Sequence, residues 1–334
     1  MTRIATFPSP TLPRSRAAFA LSTLAALFWG TNFEATRIVL EGMDPWTAAA
    51  TRFVIATAAI MLWLGMSGGF DVASLRRNLI AFCVLGIIGV AGFNAALFLG
   101  MRSSSPVTAA LIMATSPLTT TLLDAFLQGR RPSTRAMLGM AIALFGVAIT
   151  VGAFAGTRIA SGDLLILCGS LGWAIYTIGC RHWVRGADAL QTASWTMLSG
   201  TVVLVILALW LGDPLDGIAH AGGRIWATIL WMALFGSALA YIFWQVGVSV
   251  RGAGPTSVLF NLVPVAALIL AAILGRMPQP MQVAGVAIAI LGVVLASGRP
   301  AARGRAGWFR HGFAGDAAAL SLDDSRRNDR PRNP

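Results

Sequence analysis

The chain has 334 residues, of which 56% are hydrophobic and only 11% charged, and its mean hydropathy is +0.73. A soluble domain of this length needs far more charge to cover its surface, so the composition excludes a soluble protein. The net charge of +12 does not indicate a nucleic-acid partner, because the arginines that carry it are distributed by membrane side.

The apolar residues form ten runs of 18–25 residues, and each run is long enough to cross ~30 Å of hydrocarbon as a helix. The runs are 17–40, 45–66, 78–101, 105–127, 135–154, 162–181, 189–211, 225–249, 253–275 and 280–297. The sequence therefore predicts an all-α membrane protein in the lipid bilayer. The first run has no small-residue cleavage site and continues into Trp29, Asn32 and Glu34, so we interpret it as a retained span.

Every basic residue is an arginine, and their placement orients the predicted spans. With a cytoplasmic N-terminus, 15 arginines lie in or near the inner loops and 5 on the outer side. This bias follows the positive-inside rule and predicts that both termini are cytoplasmic, in an inner (plasma) membrane. The predicted parts are a cytoplasmic segment 1–16, two five-helix halves at 17–154 and 155–297, and a disordered cytoplasmic tail at 298–334.

The two halves repeat each other. At an offset of 147 residues, GVAGFNAALFLG (89–100) aligns with GSALAYIFWQVG (236–247), and Pro117 aligns with Pro264. At an offset of 144, WGTNFEATR (29–37) aligns with WAIYTIGCR (173–181). Because five spans is an odd number, the second half enters the bilayer from the opposite side. The sequence thus predicts two inverted repeats, the architecture that opens a central site alternately to either side.

Three stretches resemble the EamA-type transporters of the drug/metabolite transporter superfamily. They are ALFWGTNFEATRIVLEGMDPWTAAATRF, SPVTAALIMATSPLTTTLLDAFLQGRRPSTRAMLGMAIALFGVAI and AGPTSVLFNLVPVAALILAAILGRMPQPMQVAGVAIAILGVVLA. The resemblance covers roughly 20–297 and implies ten helices in two repeats, cytoplasmic termini and export or exchange of small metabolites. The family commonly has Gly-Glu after its fourth and ninth helices, whereas this chain has Gly129-Arg130 and Gly275-Arg276.

Polar and aromatic residues gather at similar depth in both halves. An amide facing lipid leaves its hydrogen bonds unmade, so these side chains should face the interior of the bundle. For any single residue, interhelical hydrogen bonding and a substrate cavity explain the position equally well; as a set, the residues favour a cavity. The predicted cavity residues are Trp29, Asn32, Asn94, Thr115, Ser116, Trp173, Tyr176, Tyr241, Trp244 and Asn261.

Two prolines, Pro117 and Pro264, fall near the middle of their spans at equivalent positions of the repeat. Proline removes a backbone donor and kinks a helix, and interrupted helices at matching positions point to the binding site of an inverted-repeat transporter. We therefore predict that these prolines line the cavity or act as hinges.

Glu34 and Arg52 are charged residues inside the first two spans, at similar depth in an antiparallel hairpin. Because a lone charge inside a span is costly, we predict a Glu34–Arg52 ion pair near the outer mouth of the cavity, with Arg37 reaching the interface. Two interpretations of this ion pair have equal weight. One is a structural clamp between the two helices. The other is a function: an outer gate, binding of a substrate carboxylate by Arg52, or proton coupling by Glu34.

Glycines recur every seven residues in the last span of each half, at Gly139 and Gly146 and at Gly285 and Gly292. Such faces allow close helix contact. We predict that the fifth and tenth helices pack together, with dimerisation as a further use, so the protein is a monomer or a homodimer.

The predicted function is a secondary active exporter or exchanger of small organic metabolites such as amino acids. No ATP-binding motif, GxSxG or HExxH is present, and the three cysteines lack metal-ligand spacing. We therefore expect no enzyme activity, cofactor or metal. A channel or a lipid-handling scaffold without carrier kinetics remains the alternative.

Overall fold

The computed structural model describes residues 12–127, 129, 133–150 and 160–296, and this part of the chain is helical without strands. The long helical segments are α1 (Leu12–Val39), α2 (Pro45–Met66), α3 (Val72–Gly100), α4 (Pro106–Leu127), α5 (Thr134–Thr150), α6 (Ser161–His182), α7 (Ala189–Leu211), α8 (Gly223–Arg251), α9 (Ala253–Ile273) and α10 (Pro280–Ala296). A short helix, Pro214–His220, lies between α7 and α8. Of the predicted cytoplasmic segment 1–16, residues 12–16 belong to α1, whereas residues 1–11 and the predicted tail 298–334 lie outside the described residues.

The helix bounds follow the predicted runs except at two starts: α1 begins at Leu12 rather than at residue 17, and α3 begins at Val72 rather than at residue 78. The carboxylate of Asp71 accepts hydrogen bonds from the backbone N–H groups of Ala73 (2.9 Å) and Ser74 (3.1 Å). This N-cap satisfies the first donors of the helix, so a polar first turn precedes the apolar run. Hydropathy alone does not detect such a turn.

Among the described residues, seven helices are long and apolar enough to cross a membrane: α2, α3, α4, α6, α7, α8 and α9. Shorter apolar stretches lie in α5 and α10, at Met137–Gly146 and Pro280–Gly292. Large apolar side chains such as Ile80 and Trp210 are more than four-fifths exposed, while polar Asn94 is buried. Apolar surface outside and polar groups inside are typical of a protein solvated by lipid. The chain is therefore a multi-pass membrane protein.

Equivalent N-caps begin the second helix of each half. Asp44 accepts from the backbone N–H groups of Trp46 and Thr47 (2.9 and 3.0 Å), and Asp188, 144 residues later, accepts from that of Gln191 (2.7 Å). Partial burial raises the pKa of Asp44, but hydrogen bonds from Thr47 and from nearby backbone N–H groups lower it, and the pKa lies below its ordinary value. The repeat thus extends from the helices into their connections.

The repeat also places helix irregularities at equivalent positions. α3 contains a π-helical segment, Gly86–Gly92, and α8 contains another, Leu234–Leu239. α4 is interrupted at Thr115, and α9 passes through a 3₁₀ turn at Val258–Asn261. π segments inside helices occur frequently at functional sites. The irregularities therefore mark the level at which the two halves approach each other.

Residues at equivalent positions of the two halves contact each other directly. The hydroxyls of Thr57 and Thr201, 144 residues apart, form a hydrogen bond of 2.7 Å. The rings of Trp29 and Trp173, with the same offset, lie 5.1 Å apart between centroids. Other contacts are reciprocal, since Gly146 packs on Gly285 as Gly292 packs on Gly139, and reciprocal contacts indicate a two-fold relation. The halves are therefore related by a pseudo-two-fold axis that passes between these pairs.

The predicted close packing of the fifth and tenth helices is confirmed, and it is reciprocal. A Cβ atom added at Gly146 would lie 2.6 Å from the carbonyl oxygen of Gly285, and one added at Gly292 would lie 2.6 Å from that of Gly139. Neither site has room for a side chain. Small residues at such crossings let the two backbones approach within van der Waals distance.

Valine in place of Gly146 is expected to lower the free energy of unfolding by about 2 kcal/mol, because the added atoms force α5 away from the α10 backbone. Thermal unfolding of the purified protein in detergent measures this loss. Gly223→Ala is the matched control, since a Cβ there meets nothing within 4 Å. Equal melting temperatures for the two variants would contradict a tight α5–α10 contact.

Candidate functional site

A cavity of about 20 Å³ lies between the two halves, at the pseudo-two-fold axis. This volume holds about one water molecule. Helices α1, α2, α3, α6, α8 and α9 contribute to its wall. The lining residues are Trp29, Asn32, Phe33, Arg52, Phe93, Asn94, Leu97, Trp173, Tyr241 and Phe260.

Aromatic rings form one side of the cavity wall. The Trp29 and Phe260 rings are stacked, with centroids 5.2 Å apart and planes inclined by 10°. Trp173 packs against Tyr241 edge to face at 5.4 Å, and Trp244 supports Trp29 from behind at 5.1 Å. Such pairs stabilise each other beyond their buried area. The wall is thus a rigid aromatic surface suited to an apolar group.

Amide and hydroxyl groups complete the wall. The Nδ2 of Asn94 donates to the carbonyl of Val90 (2.8 Å) and, more weakly, to the hydroxyl of Tyr241 (3.4 Å). Asn94 and Tyr241 are repeat counterparts, so this contact also lies on the pseudo-two-fold axis. The Oδ1 of Asn32 is buried without a hydrogen-bond partner. A buried acceptor of this kind is costly unless something hydrogen-bonds to it.

One backbone carbonyl organises the polar side of the cavity. The carbonyl oxygen of Gly236 accepts hydrogen bonds from Trp29 Nε1 (3.0 Å), Asn32 Nδ2 (3.2 Å) and Arg52 Nη2 (3.0 Å). Three lining side chains from α1 and α2 are therefore fixed by a single atom of α8.

The π segment of α8 explains why this carbonyl is available. In an α-helix, the N–H of Ala240 would bond to Gly236; here it donates to the carbonyls of Phe235 and Ser237. The hydroxyl of Ser237 also accepts a hydrogen bond from Arg52 Nε (2.8 Å). The local widening of the helix thus turns two adjacent groups toward the arginine.

Six of the predicted cavity and gate residues line this cavity, and six do not. Those on the wall are Trp29, Asn32, Arg52, Asn94, Trp173 and Tyr241. Those elsewhere are Thr115, Ser116, Tyr176, Trp244 and Asn261, and also Glu34. Thr115, Ser116 and Asn261 are buried at the interruptions of α4 and α9. Four lining residues were not predicted, namely Phe33, Phe93, Leu97 and Phe260, because apolar side chains carry no distinguishing signal in an apolar sequence.

Pro117 and Pro264 lie next to the helix interruptions. Pro117 is the second residue after the break at Thr115, and Pro264 follows the 3₁₀ turn that ends at Asn261. Proline lacks the N–H that would bond to the previous turn, which favours an irregularity there. Neither proline lines the cavity, and a hinge motion at these positions stays a prediction.

The predicted Glu34–Arg52 ion pair is wrong. Arg52 donates to Gly236 and Ser237 of α8, whereas Glu34 pairs with Arg37 and with Arg276 (2.6 Å). Residues three apart share one face of a helix, so Glu34 and Arg37 meet within α1. Matching depth in the α1–α2 hairpin did not decide the pairing, because Arg52 finds its partners on α8, and Glu34 finds its partners within α1 and in the α9–α10 turn.

An ion-pair network covers the end of the bundle that is predicted to face outside. Glu34 is only 3% exposed and holds Arg37 and Arg276. Arg37, which was predicted to reach the interface rather than to pair with Glu34, also contacts Glu41 (2.5 Å), and Glu41 contacts Arg224 (3.3 Å). The network links α1 to the start of α8 and to the α9–α10 turn.

The Gly-Arg pair after α9 now has a structural explanation. Gly275 has φ +78°, and the N–H of Arg276 donates to the carbonyl of Ala271 (2.9 Å). This is the glycine C-cap of a helix, in which positive φ favours glycine. The cap turns the chain so that Arg276 reaches Glu34. A glutamate in place of Arg276 would instead be repelled by the Glu34 carboxylate.

A larger apolar groove of about 330 Å³ lies on the side of the bundle, between α4, α5 and α6. Its lining is apolar apart from Thr115 and Thr119. The groove therefore lacks the convergent polar groups of a solute site. The smaller cavity on the pseudo-two-fold axis is therefore the candidate functional site.

Phenylalanine in place of Tyr176 is expected to lower the free energy of unfolding by about 1–2 kcal/mol without changing apparent substrate affinity. The Tyr176 hydroxyl accepts a hydrogen bond from Gln245 (2.8 Å) and pairs with Thr196 (3.2 Å), but the residue does not line the cavity. Melting temperature and transport KM measure the two effects. Tyr241→Phe is the matched variant at a residue that lines the cavity. A larger change in KM for Tyr176→Phe than for Tyr241→Phe would contradict the placement of Tyr176 outside the site.

Two segments, residues 16–152 and 160–298, match the EamA-like transporter family. The chain belongs to the EamA-like transporter family. Relatives that match most of the chain are named as transporters or exporters. The chain is therefore a membrane transporter with the family domain present twice.

Two relatives match this EamA-like transporter along most of its length. The uncharacterized transporter YyaM of Bacillus subtilis is 35% identical over 82% of this chain and 91% of its own. A probable terminal-alkyne amino-acid exporter of Streptantibioticus cattleyicolor is 27% identical over 87% of this chain and 96% of its own. A solved crystal structure, 20% identical, has a TM-score of 0.65 and covers 84% of this chain and 96% of its own, which shows a shared fold.

Proposed function

We propose that this EamA-like transporter is a secondary active exporter or exchanger of small organic metabolites, such as amino acids, across the inner membrane. In this proposal ten helices cross the bilayer as two inverted five-helix repeats, and both termini are cytoplasmic. The cavity opens alternately to the two sides. Because the halves are inverted repeats, the inward-open and outward-open states differ by an exchange of conformations between the two halves.

The observation that carries the proposal is the cavity on the pseudo-two-fold axis. Its wall includes both members of two repeat pairs, Trp29 with Trp173 and Asn94 with Tyr241. A site on the axis is equally related to both halves, so rocking one half against the other exposes it to either side. At about 20 Å³ the cavity is too small for a metabolite. In the proposed cycle the cavity widens when one side opens.

The ion-pair network at the outer end supports the same mechanism. Glu34 joins α1 of the first half to Arg276 of the second, and Glu41, in the turn after α1, joins Arg37 to Arg224. Contacts that cross between the halves must break when the outer side opens. The network is therefore the outer closure of the proposed cycle.

The substrate class rests on the wall chemistry and on the relatives. Rigid aromatic rings beside a few amides and one guanidinium suit a small solute with an apolar part and a polar end. A relative named as a probable amino-acid exporter agrees with that class. Without an ATP-binding motif, the energy comes from an ion gradient or from exchange, and no chemical reaction is catalysed.

Uptake into proteoliposomes tests the proposal. Vesicles that contain the purified protein are preloaded with a metabolite mixture and read by mass spectrometry, with and without a proton gradient. Saturable movement of one compound class is expected. Non-saturable flux would favour a channel, and no flux of any solute would favour a lipid-handling scaffold.

A further inference from the structure

Arg52 is a buried cation without a described counter-ion. It is 3% exposed and lines the cavity. Its hydrogen bonds go to neutral groups, the Ser237 hydroxyl and the Gly236 carbonyl. Within the described ranges no carboxylate pairs with it, because Glu34 is held by other arginines.

One guanidinium nitrogen is left over. Arg52 Nη1 is buried and has no hydrogen-bond partner, and the same is true of Trp173 Nε1 on the same cavity wall. An arginine side chain stays protonated in proteins. A charge held in a low-dielectric interior with a free donor is costly unless an anion compensates it.

The fold itself does not require this charge. The repeat counterpart of Arg52 is Thr196, and the counterpart of Ser237 is Val90. Thr196 donates to the carbonyl of Thr192 (2.7 Å) and pairs with the Tyr176 hydroxyl (3.2 Å), and both partners are neutral. The second half thus builds the equivalent helix contact without a cation. The arginine is an addition to one half at the level of the cavity.

We propose that Arg52 binds the carboxylate of the transported solute, a small organic acid or amino acid whose apolar part packs on the aromatic wall. This inference rests on the proposed function. A carboxylate brings one negative charge to one guanidinium and accepts in the geometry that arginine offers. A phosphate brings nearly two charges at neutral pH and would leave an excess in an apolar site. The Arg52 Nη1 and Trp173 Nε1 donors are the groups that receive the carboxylate.

Matched probe pairs test the assignment. The probes are 3-phenylpropanoate with 3-phenylpropanamide, and L-phenylalanine with L-phenylalaninamide. Each is measured by exchange in proteoliposomes and by thermal shift of the detergent-purified full chain. In the wild type, each acid is expected to bind at least about tenfold more tightly than its amide.

Variants separate the charge from the packing. Arg52→Gln is expected to remove the preference for the acids, so that each acid binds no more tightly than its amide, and Arg52→Lys to keep part of the preference. Arg251→Gln is the matched control. Arg251 at the inner end of α8 also has a buried, unpartnered Nη1 and lies 4.9 Å from the Phe19 ring, but it is outside the cavity.

The outcomes distinguish this inference from the proposed function. Equal binding of acid and amide by the wild type, or an unchanged acid preference in Arg52→Gln, overturns the carboxylate site while transport stands. Absence of exchange for metabolites of every charge overturns both. If Arg52→Gln does not fold, the comparison of acid and amide in the wild type decides alone.

Discussion

Glutamine in place of Glu34 is expected to loosen the outer end of the bundle and to lower the free energy of unfolding by about 2 kcal/mol. The substitution removes the charge that holds Arg37 and Arg276, so α1 loses its link to the α9–α10 turn. Melting temperature measures the first effect. The second is measured as faster labelling of Leu97→Cys by a membrane-impermeant thiol reagent applied from outside, with the native cysteines replaced.

A double-mutant cycle shows whether the pair itself is responsible. If Glu34 and Arg276 act together, Arg276→Gln adds little destabilisation in the Glu34→Gln background. Arg102→Gln, at another arginine predicted to lie outside, controls for the loss of charge. Full additivity of the two substitutions, with unchanged labelling of the reporter cysteine, would contradict an outer closure made by this pair.

Alanine in place of Gly236 is expected to lower the free energy of unfolding by about 3 kcal/mol and to abolish transport. An added Cβ would overlap the Asn32 side chain. Relief of that overlap moves α8 away from α1 and breaks the hydrogen bonds that the Gly236 carbonyl accepts from Trp29 and Arg52. Melting temperature and exchange rate, both measured on purified protein, check the two effects.

The repeat provides a matched variant for this substitution. Gly89→Ala places its Cβ against the Tyr176 side chain at the equivalent contact between α3 and α6, whereas the cavity hydrogen bonds described above from Trp29, Asn32 and Arg52 go to Gly236. It should destabilise the fold with less loss of transport. Gly222→Ala, with nothing within 4 Å, should do neither. An active and stable Gly236→Ala protein would contradict the role of the π segment in placing Arg52.

Much of this fold is predictable from the sequence because the bilayer constrains it strongly. Apolar runs determine where helices lie, and the offset between halves, visible at Trp29 and Trp173, predicts that equivalent residues approach one another. The polar lining residues are also predictable, since an amide such as Asn94 has few stable places in a membrane protein.

The remaining features depend on distances that the sequence does not contain. Similar depth in the hairpin predicts that Arg52 pairs with Glu34. The π segment of α8 instead places the Gly236 carbonyl and the Ser237 hydroxyl within hydrogen-bonding distance of Arg52. Arg276 joins Glu34 across 242 positions through a turn that its glycine cap sets. Apolar lining residues such as Phe260 differ from lipid-facing ones only in orientation, which helix irregularities alter.

Counterflow in proteoliposomes tests the central claim, a carrier with one site exposed alternately to each side. Vesicles are loaded with an unlabelled metabolite that the protein moves, and entry of the labelled compound is followed. Transient accumulation above equilibrium, saturable and faster than into empty vesicles, is the predicted result. Entry that is linear with concentration and unaffected by internal substrate would contradict alternating access.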